Sequence, residues 1–364
     1  MKKKATRFLI MFLCAALVFC GVLSFAAFAF DPQNIFRKNN FGKRVYSPRF
    51  SAAGAAKNYD YDMVVIGSSM VQNFDASFFA EKLGCKPLKL TLGALTPGET
   101  LFLYDYVREN GKADKYIINI DLHRIAAEDT IKKDAGRFPE YLFDSGFLSA
   151  AQYLLSYETW FRFMAADFAV NLAQATGLVR LLPESYSAEI NRQTDINAMC
   201  SWDESNLLGE RTIIRNFLND TKNFNEGDNL DFSESALENM REFFDLIATP
   251  LKSDETLIFY LPPYSSIYWL DKTGRELETL VEMRDLLAQL CDERENVYLY
   301  DFQAMPETLD LTLYYDSNHC GGQLRLKIQD EFVKGAFSAD AARVHENSQT
   351  IKIYREKMRK KVYG

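Results

Sequence analysis

Histidine is scarce in this chain, with three residues in 364. That excludes a His-rich metal centre and makes each histidine in a motif-like setting worth weighing. Cysteine is sparse too, six in all, and no two stand in a CxxC spacing, so a zinc cluster has no support. There is no excess of positive charge: 42 Lys+Arg stand against 50 Asp+Glu, a net charge of -8. Sequence-independent nucleic-acid binding needs a basic face, so nucleic acid is not an expected partner. With 48% hydrophobic and 14% aromatic residues, the composition is not that of a disordered chain. No internal repeat is present, no metal site is expected, and no cofactor is expected.

One long apolar run stands out. Met1–Arg7 carries four positive charges, and Phe8–Phe30 follows with 23 residues and no charge. At about 1.5 Å per residue such a run crosses a hydrocarbon core of roughly 30 Å. A cleaved signal peptide has an apolar region of about 7–15 residues before a small-x-small site. Ala27-Phe28-Ala29 offers such a site, but the run is too long, which favours an uncleaved anchor. The basic residues before it predict that 1–30 is a cytoplasmic N-terminus followed by a transmembrane anchor, single-pass in the cell membrane, with the remainder extracytoplasmic. Arg37, Lys38, Lys43, Arg44 and Arg49 follow closely, so the charge asymmetry is shallow. Cys14 and Cys20 fall inside the run; Cys85, Cys200, Cys291 and Cys320 allow either one or two disulfides or four buried thiols.

Residues 31–58 read as a polar, Ala/Gly-rich tether. An α/β rhythm then begins: Tyr61–Ile66 as a strand closed by Gly67, Asp75–Leu83 as a helix, Leu88–Leu92 as a strand, Glu99–Glu109 as a helix, and Tyr116–Leu122 as a strand. Between about 126 and 252 no strand pattern is found, and the segment reads as a helical insertion. The rhythm returns with strands at Thr256–Leu261 and Val297–Phe302 and helices at Thr273–Asp292 and Gly322–Lys334. Short, β-branched runs alternating with helices predict one α/β domain over 59–335, a doubly wound, mostly parallel five-stranded sheet of flavodoxin-like type. A mixed-charge helical tail at 336–364 completes the chain.

In an open parallel sheet, ligands sit at the carboxyl ends of strands. Gly67-Ser68-Ser69 closes the first strand, Gly93 the second and Asp121-Leu122-His123 the third. Tyr264 and Ser265 follow the fourth, and Asp316-Ser317-Asn318-His319 follows the fifth. A Gly-x-Ser at the start of a domain and an Asp-x-x-His near its end resemble the SGNH (GDSL-like) hydrolase superfamily. The resemblance covers about residues 59–125 and 254–335. It implies Ser69 as nucleophile, His319 as its base and Asp316 as the group orienting that base. It also implies backbone N–H groups of Ser69 and Gly93 in an oxyanion hole. Ser68 stands where many members have Asp. The family's third block, Gly-x-Asn-Asp, is replaced here by Asp121-Leu122-His123-Arg124, with His123 where the Asn donor would fall. Tyr264 is a candidate to line the substrate pocket.

In layout the chain resembles membrane-anchored superfamily members of bacterial cell-envelope acyl transfer, such as the teichoic-acid D-alanyl transfer protein and the alginate O-acetylation proteins. That implies a cell-envelope polysaccharide or acyl donor as substrate, and an integral membrane acyltransferase as partner. Two functions follow: a serine esterase or O-acyltransferase, or a catalytically inactive binding or assembly protein. A soluble secreted lipase is a separate reading, which an uncleaved N-terminus would exclude. Taken alone, Gly-Ser-Ser is a turn and helix cap, and Asp-x-x-His a cap with a surface histidine. Phe147–Leu182 holds only four charged side chains, Glu158, Arg162, Asp167 and Arg180. It reads either as packed helices or as a surface for a bilayer or membrane partner. His345 reads as a solvated residue of the tail.

Overall fold

The structure, a computed structural model, describes residues 2–38, 47–178, 196–197, 207–223, 232, 234–272 and 274–364. In chain order its elements are α1 (Lys2–Phe30), α2 (Pro48–Asn58), β1 (Met63–Gly67), α3 (Ala76–Leu83), β2 (Pro87–Thr91), α4 (Pro97–Asn110), β3 (Lys115–Asn119) and α5 (Leu122–Ala126). Then come α6 (Phe147–Leu155), α7 (Ala165–Ala175), α8 (Glu210–Asn223), α9 (Ala236–Ala248), β4 (Thr256–Leu261), α10 (Gly274–Asp292), β5 (Val297–Asp301), α11 (Gly322–Val333) and α12 (Ala341–Tyr363). The chain forms two compact units. Met1–Tyr59 joins with Arg137–Ala198, and Asp60–Gly136 joins with Met199–Gly364.

The second unit holds an α/β sheet of five parallel strands in the order β2-β1-β3-β4-β5. Parallel neighbours need crossovers, which α3, α4 and α10 supply. Each helix is cut to length by its own sequence. Thr96 and Glu99 form a reciprocal capping box at the start of α4, and Gly111 ends it at φ 61°. Asp75 caps α3, and Gly84 ends it at φ 63°. The chain steps from β1 to β2 on one side and returns to β3 on the other. The carboxyl ends of β1 and β3 therefore flank the crevice where ligands bind in such sheets. Val65, Phe74, Phe79, Tyr260, Phe302 and Phe332 belong to one apolar core cluster of this unit.

Three sequence expectations need correction. The third strand stops at Asn119, not Leu122. Ile120 still donates its N–H to Tyr260 O at 2.9 Å, but the Asp121 carbonyl then accepts from Arg124 and turns the chain into α5. The stretch read as a tether contains α2, whose Ser51–Ala56 run is buried. Its small side chains permit close approach, and a Cβ on Gly54 would collide with the Gln33 carbonyl. The helical stretch at 126–252 is divided between the units: Arg137–Ala198 groups with the N-terminal segment, while α8 and α9 group with the sheet. Tyr104 of α4 donates its hydroxyl to Ile247 O of α9 at 2.9 Å.

The C-terminal helix is also part of the second unit. Val344, Ser348, Ile351 and Met358 of α12 are buried, and the helix packs on α10. Beneath it Arg284 and Asp301 form a fully buried ion pair at 2.6 Å. Gln303, Ser348 and Asn347 complete its hydrogen bonds. Removing one partner strands the other charge away from water. Asp301→Ala is expected to cost about 3–5 kcal/mol, read as a fall in the urea or thermal midpoint of the detergent-solubilised chain. An unchanged midpoint would refute the pair's structural role.

In the first unit α1 is the one described helix long and apolar enough to cross a membrane, with a mean hydropathy of 2.7. Just past it Asp31 is buried and accepts from the N–H groups of Ile35, Phe36 and Arg37 and from the Tyr153 hydroxyl. Burial raises the Asp31 carboxyl above its ordinary range despite these bonds. The Arg37 guanidinium donates to the carbonyls of Phe28 and Ala29 at 2.6 and 2.8 Å, neutralising the open end of α1.

Candidate active site

Two adjacent serines follow β1, and their surroundings separate them. Gly67 has no room for a side chain, because a Cβ there would sit 2.5 Å from the Asn119 Cβ and 2.6 Å from Val71. Ser68 is extended and buried. Its N–H and its hydroxyl both donate to Asn119 Oδ1, at 3.1 and 2.9 Å, and its oxygen accepts from the Met70 N–H at 3.3 Å. That cap starts the short 3₁₀ turn Ser69–Val71 and leaves Ser69 at its first position, part-buried. Buried Lys89 of β2 donates its ammonium to the carbonyls of Gln72 and Phe74, at 2.8 and 2.7 Å, fixing the segment just beyond.

The second motif sits on a loop closed upon itself. Tyr314 and Cys320 pair in antiparallel fashion, and Tyr315 donates its N–H to His319 O at 2.8 Å. Inside the loop Asp316 Oδ1 accepts from the N–H groups of Asn318 and His319, at 2.7 and 2.8 Å. Asp316 Oδ2 lies 2.7 Å from His319 Nδ1. On the far side of the ring, His319 Nε2 lies 2.7 Å from Ser69 Oγ. A carboxylate only accepts, so the network assigns the ring proton to Nδ1 and makes Nε2 the acceptor of the Ser69 hydroxyl. Burial acts to raise the Asp316 pKa. The His319 ring and the two N–H groups outweigh it and hold the carboxyl below its ordinary range.

Neighbouring elements brace the loop. Ser265, after β4, gives both its N–H and its hydroxyl to Ser317 O, at 3.2 and 2.7 Å. Tyr314 donates its hydroxyl to Pro263 O at 3.0 Å. Asn73, beyond the Ser69 turn, donates to Cys320 O at 3.3 Å and accepts from Arg325 of α11 at 3.2 Å. The two motifs, 250 residues apart, are thus joined at their bases as well as at their tips.

The other candidates are distributed differently. Gly93 follows β2 and faces open space, beside Ala94 in the left-handed region at φ 55°. Tyr264 is buried, stacks on Tyr268 at 4.2 Å and donates its hydroxyl to Asp121 at 2.8 Å. Its hydroxyl is therefore committed to the end of β3. His123 falls in α5, with its ring against Tyr264 and Tyr268 at 6.3 and 6.2 Å. Its Nδ1 has no hydrogen-bond partner among the described residues. Burial pushes the imidazole down to about 4, against the opposing pull of Asp121. His345 is exposed, with Nδ1 3.2 Å from Asp285. Cys85, Cys291 and Cys320 are buried, and Cys200 lies outside the described residues.

The sequence reading passed over Asn119, Lys89 and Asn73. Asn119 hides as the last residue of an apolar strand, while Lys89 and Asn73 bond mainly to backbone carbonyls and leave no side-chain pattern to detect. A recess opens beside Ser68, lined among others by Leu95, Asn119, Asp121, Arg124 and Phe243; Ser69 and His319 do not line it. Comparison with models of known families and with curated proteins finds no match to this chain.

A histidine with a lowered native pKa binds a proton more readily when unfolded. Its stabilising effect is therefore present at neutral pH and lost as pH falls from about 6.5 toward about 4. His123→Phe should flatten that acid-side slope by on the order of 2–3 kcal/mol, measured as unfolding free energy at pH 4.5 and 7. An unchanged slope would show that the buried imidazole does not titrate with folding.

Proposed function

We propose that this chain is an SGNH-like serine esterase or O-acyltransferase, held at a membrane by α1 and acting on an acyl group of a cell-envelope glycan. The observation that carries this reading is the continuous chain Ser69 Oγ–His319–Asp316, with 2.7 Å at each link, at the strand carboxyl ends of a parallel sheet. A serine hydroxyl is a weak nucleophile until a base takes its proton. Here the base carries its own proton on the far nitrogen, toward a carboxylate that offsets the imidazolium as it forms.

The Ser69 oxygen attacks the acyl carbonyl while its proton passes to His319 Nε2. The carbonyl oxygen becomes an oxyanion, for which the backbone N–H groups of Ser69 and Gly93 are the proposed donors. Collapse breaks the ester bond, and His319 returns the proton to the departing alkoxide. Water, or the hydroxyl of an acceptor glycan, then repeats the sequence on the acyl-Ser69 ester, giving hydrolysis or transfer. His123 has no part in this scheme, since its ring is packed among Tyr264 and Tyr268.

Ser69→Ala and His319→Ala are each expected to lower turnover by on the order of 10³–10⁶-fold, and the double variant to lose little more, because the groups act as a unit. Asp316→Asn should impair the reaction by on the order of 10⁴-fold through loss of the ring tautomer. Ser68→Ala should leave the rate within about tenfold and instead lower stability by about 1 kcal/mol through loss of its cap. Intact mass after treatment with a fluorophosphonate locates the nucleophile: one adduct is expected in the wild type and none in Ser69→Ala. An adduct that survives in Ser69→Ala sinks the assignment. Absence of both adduct and esterase activity in native membranes would move the chain to the class of binding or assembly proteins.

The proposed topology has Lys2–Lys4 and Arg7 in the cytoplasm and the sheet unit outside. N-terminal sequencing of the mature chain from membranes should read from the start of the sequence. A start near residue 30 would remove the anchor.

A further inference from the structure

The first unit exposes a row of large apolar side chains. Residues 158–164 form a π-helical segment that runs directly into α7. Along that continuous helix Phe161, Ala165, Phe168 and Leu172 are all exposed, spaced four, three and four apart, so they share one face. No residue of α7 is buried. At the start of α6, Phe147 and Leu148 are 84% and 80% exposed. Three charged residues, Glu158, Arg162 and Asp167, fall between 147 and 178. Arg162 lies over the rings of Phe50 and Phe163, at 5.0 and 5.5 Å.

The surface is continuous with α1. Both α6 and the π-helical segment pack directly on α1. Ala27 is fully buried, and Leu23, Ser24, Ala26 and Ala29 are half-buried, so the packing falls near the C-terminal end of that helix. Tyr153 of α6 sets the depth: its hydroxyl meets Asp31, one residue past α1, at 3.0 Å, and its ring lies 5.7 Å from Phe36. Helices that pack beside the end of a membrane-spanning helix stand at the boundary between headgroups and acyl chains. Aromatic side chains with one polar edge are enriched at that level, and this segment carries Tyr157 and Trp160, the latter donating its indole N–H to Leu154 O at 3.0 Å.

We infer that α6 and the helix running from Glu158 through Ala175 lie in the membrane interface beside α1, with Phe147, Leu148, Phe161, Phe168 and Leu172 in the acyl chains of the lipid. The inference rests on α1 spanning the bilayer. It gives the chain a second, monotopic contact that α1 alone does not supply. The occupant of the face is lipid, because the face has no charge along its exposed stripe and its edge is the lipid-facing surface of α1 itself.

The test is photo-crosslinking of the full chain in phosphatidylcholine vesicles. A benzophenone amino acid replaces Leu148, Phe161 or Phe168, one position at a time. Phe19 of α1 serves as the membrane reference and exposed Lys86 as the aqueous control. Adducts carrying the mass of a phospholipid are expected at Leu148, Phe161, Phe168 and Phe19, and none at Lys86. Lipid adducts at Phe19 alone would overturn the inference and leave the anchor standing. No lipid adduct at Phe19 would remove the spanning helix and the inference with it. A crosslink from the three positions to a second copy of the chain would reassign the face to a protein interface. Activity is not part of the readout, so the catalytic reading stands or falls separately.

Discussion

The site hangs on one carboxylate. Asp316 Oδ1 is filled by two N–H groups of its own loop, and this turns Oδ2 toward the His319 ring. A histidine held only by packing can rotate or exchange tautomers. One whose backbone and ring both bond to the same carboxylate has a single arrangement. The loop that carries it is closed by the Tyr314–Cys320 pair and by the two bonds from Ser265 to Ser317. The burial that acts against the Asp316 charge is outweighed by the groups that define the loop's shape. Electrostatics and geometry at this point are one interaction.

Polar groups under the core specify the rest. Lys89 ends on two backbone carbonyls, Arg284 on a carboxylate, an amide and a hydroxyl, and Asn239 of α9 on Glu128 O. Each desolvation is offset by several partners, so each is satisfied in one packing and stranded in others. Apolar burial alone drives collapse around the sheet but distinguishes poorly between nearby packings. Lys89 and Asn73 fix the segment between the Ser69 turn and α3 and tie it to the loop of His319.

How much of this was legible follows from the range of each interaction. The strands were readable as short apolar runs closed by glycine or by a polar residue, since burial on both faces leaves that local signature. The end of β3 was not, because Ile120 goes on pairing after the strand proper has stopped. The Ser51–Ala56 run carries no helical signal in the sequence because small residues show no amphipathic period; their burial depends on a distant backbone approaching Gly54. Ser69, Asp316 and His319 could be picked out by motif spacing, and the structure brings these three together. His123 and Tyr264 occupied plausible strand-end positions, but α5 turns the first into an aromatic cluster and Asp121 takes the hydroxyl of the second.

The serine before Ser69 is joined to the end of β3. Ser68 donates both its N–H and its hydroxyl to Asn119 Oδ1 and accepts from Met70, and the orientation of the Asn119 amide follows from those two donations. An aspartate at this position has no proton to give. Its carboxylate would face Asn119 Oδ1, acceptor against acceptor, while the backbone N–H holds that oxygen in place and Asp121 lies 3.4 Å from Asn119 Nδ2. With Ser68, Asn119 instead bridges a hydroxyl on one side and a carboxylate on the other, and Asp121 keeps the Tyr264 hydroxyl as its second donor. Ser68, Asn119, Asp121 and Tyr264 therefore form one matched set across β1, β3 and β4. These bonds lie beside the loop of Asp316 and His319 and involve none of Ser69, His319 or Asp316.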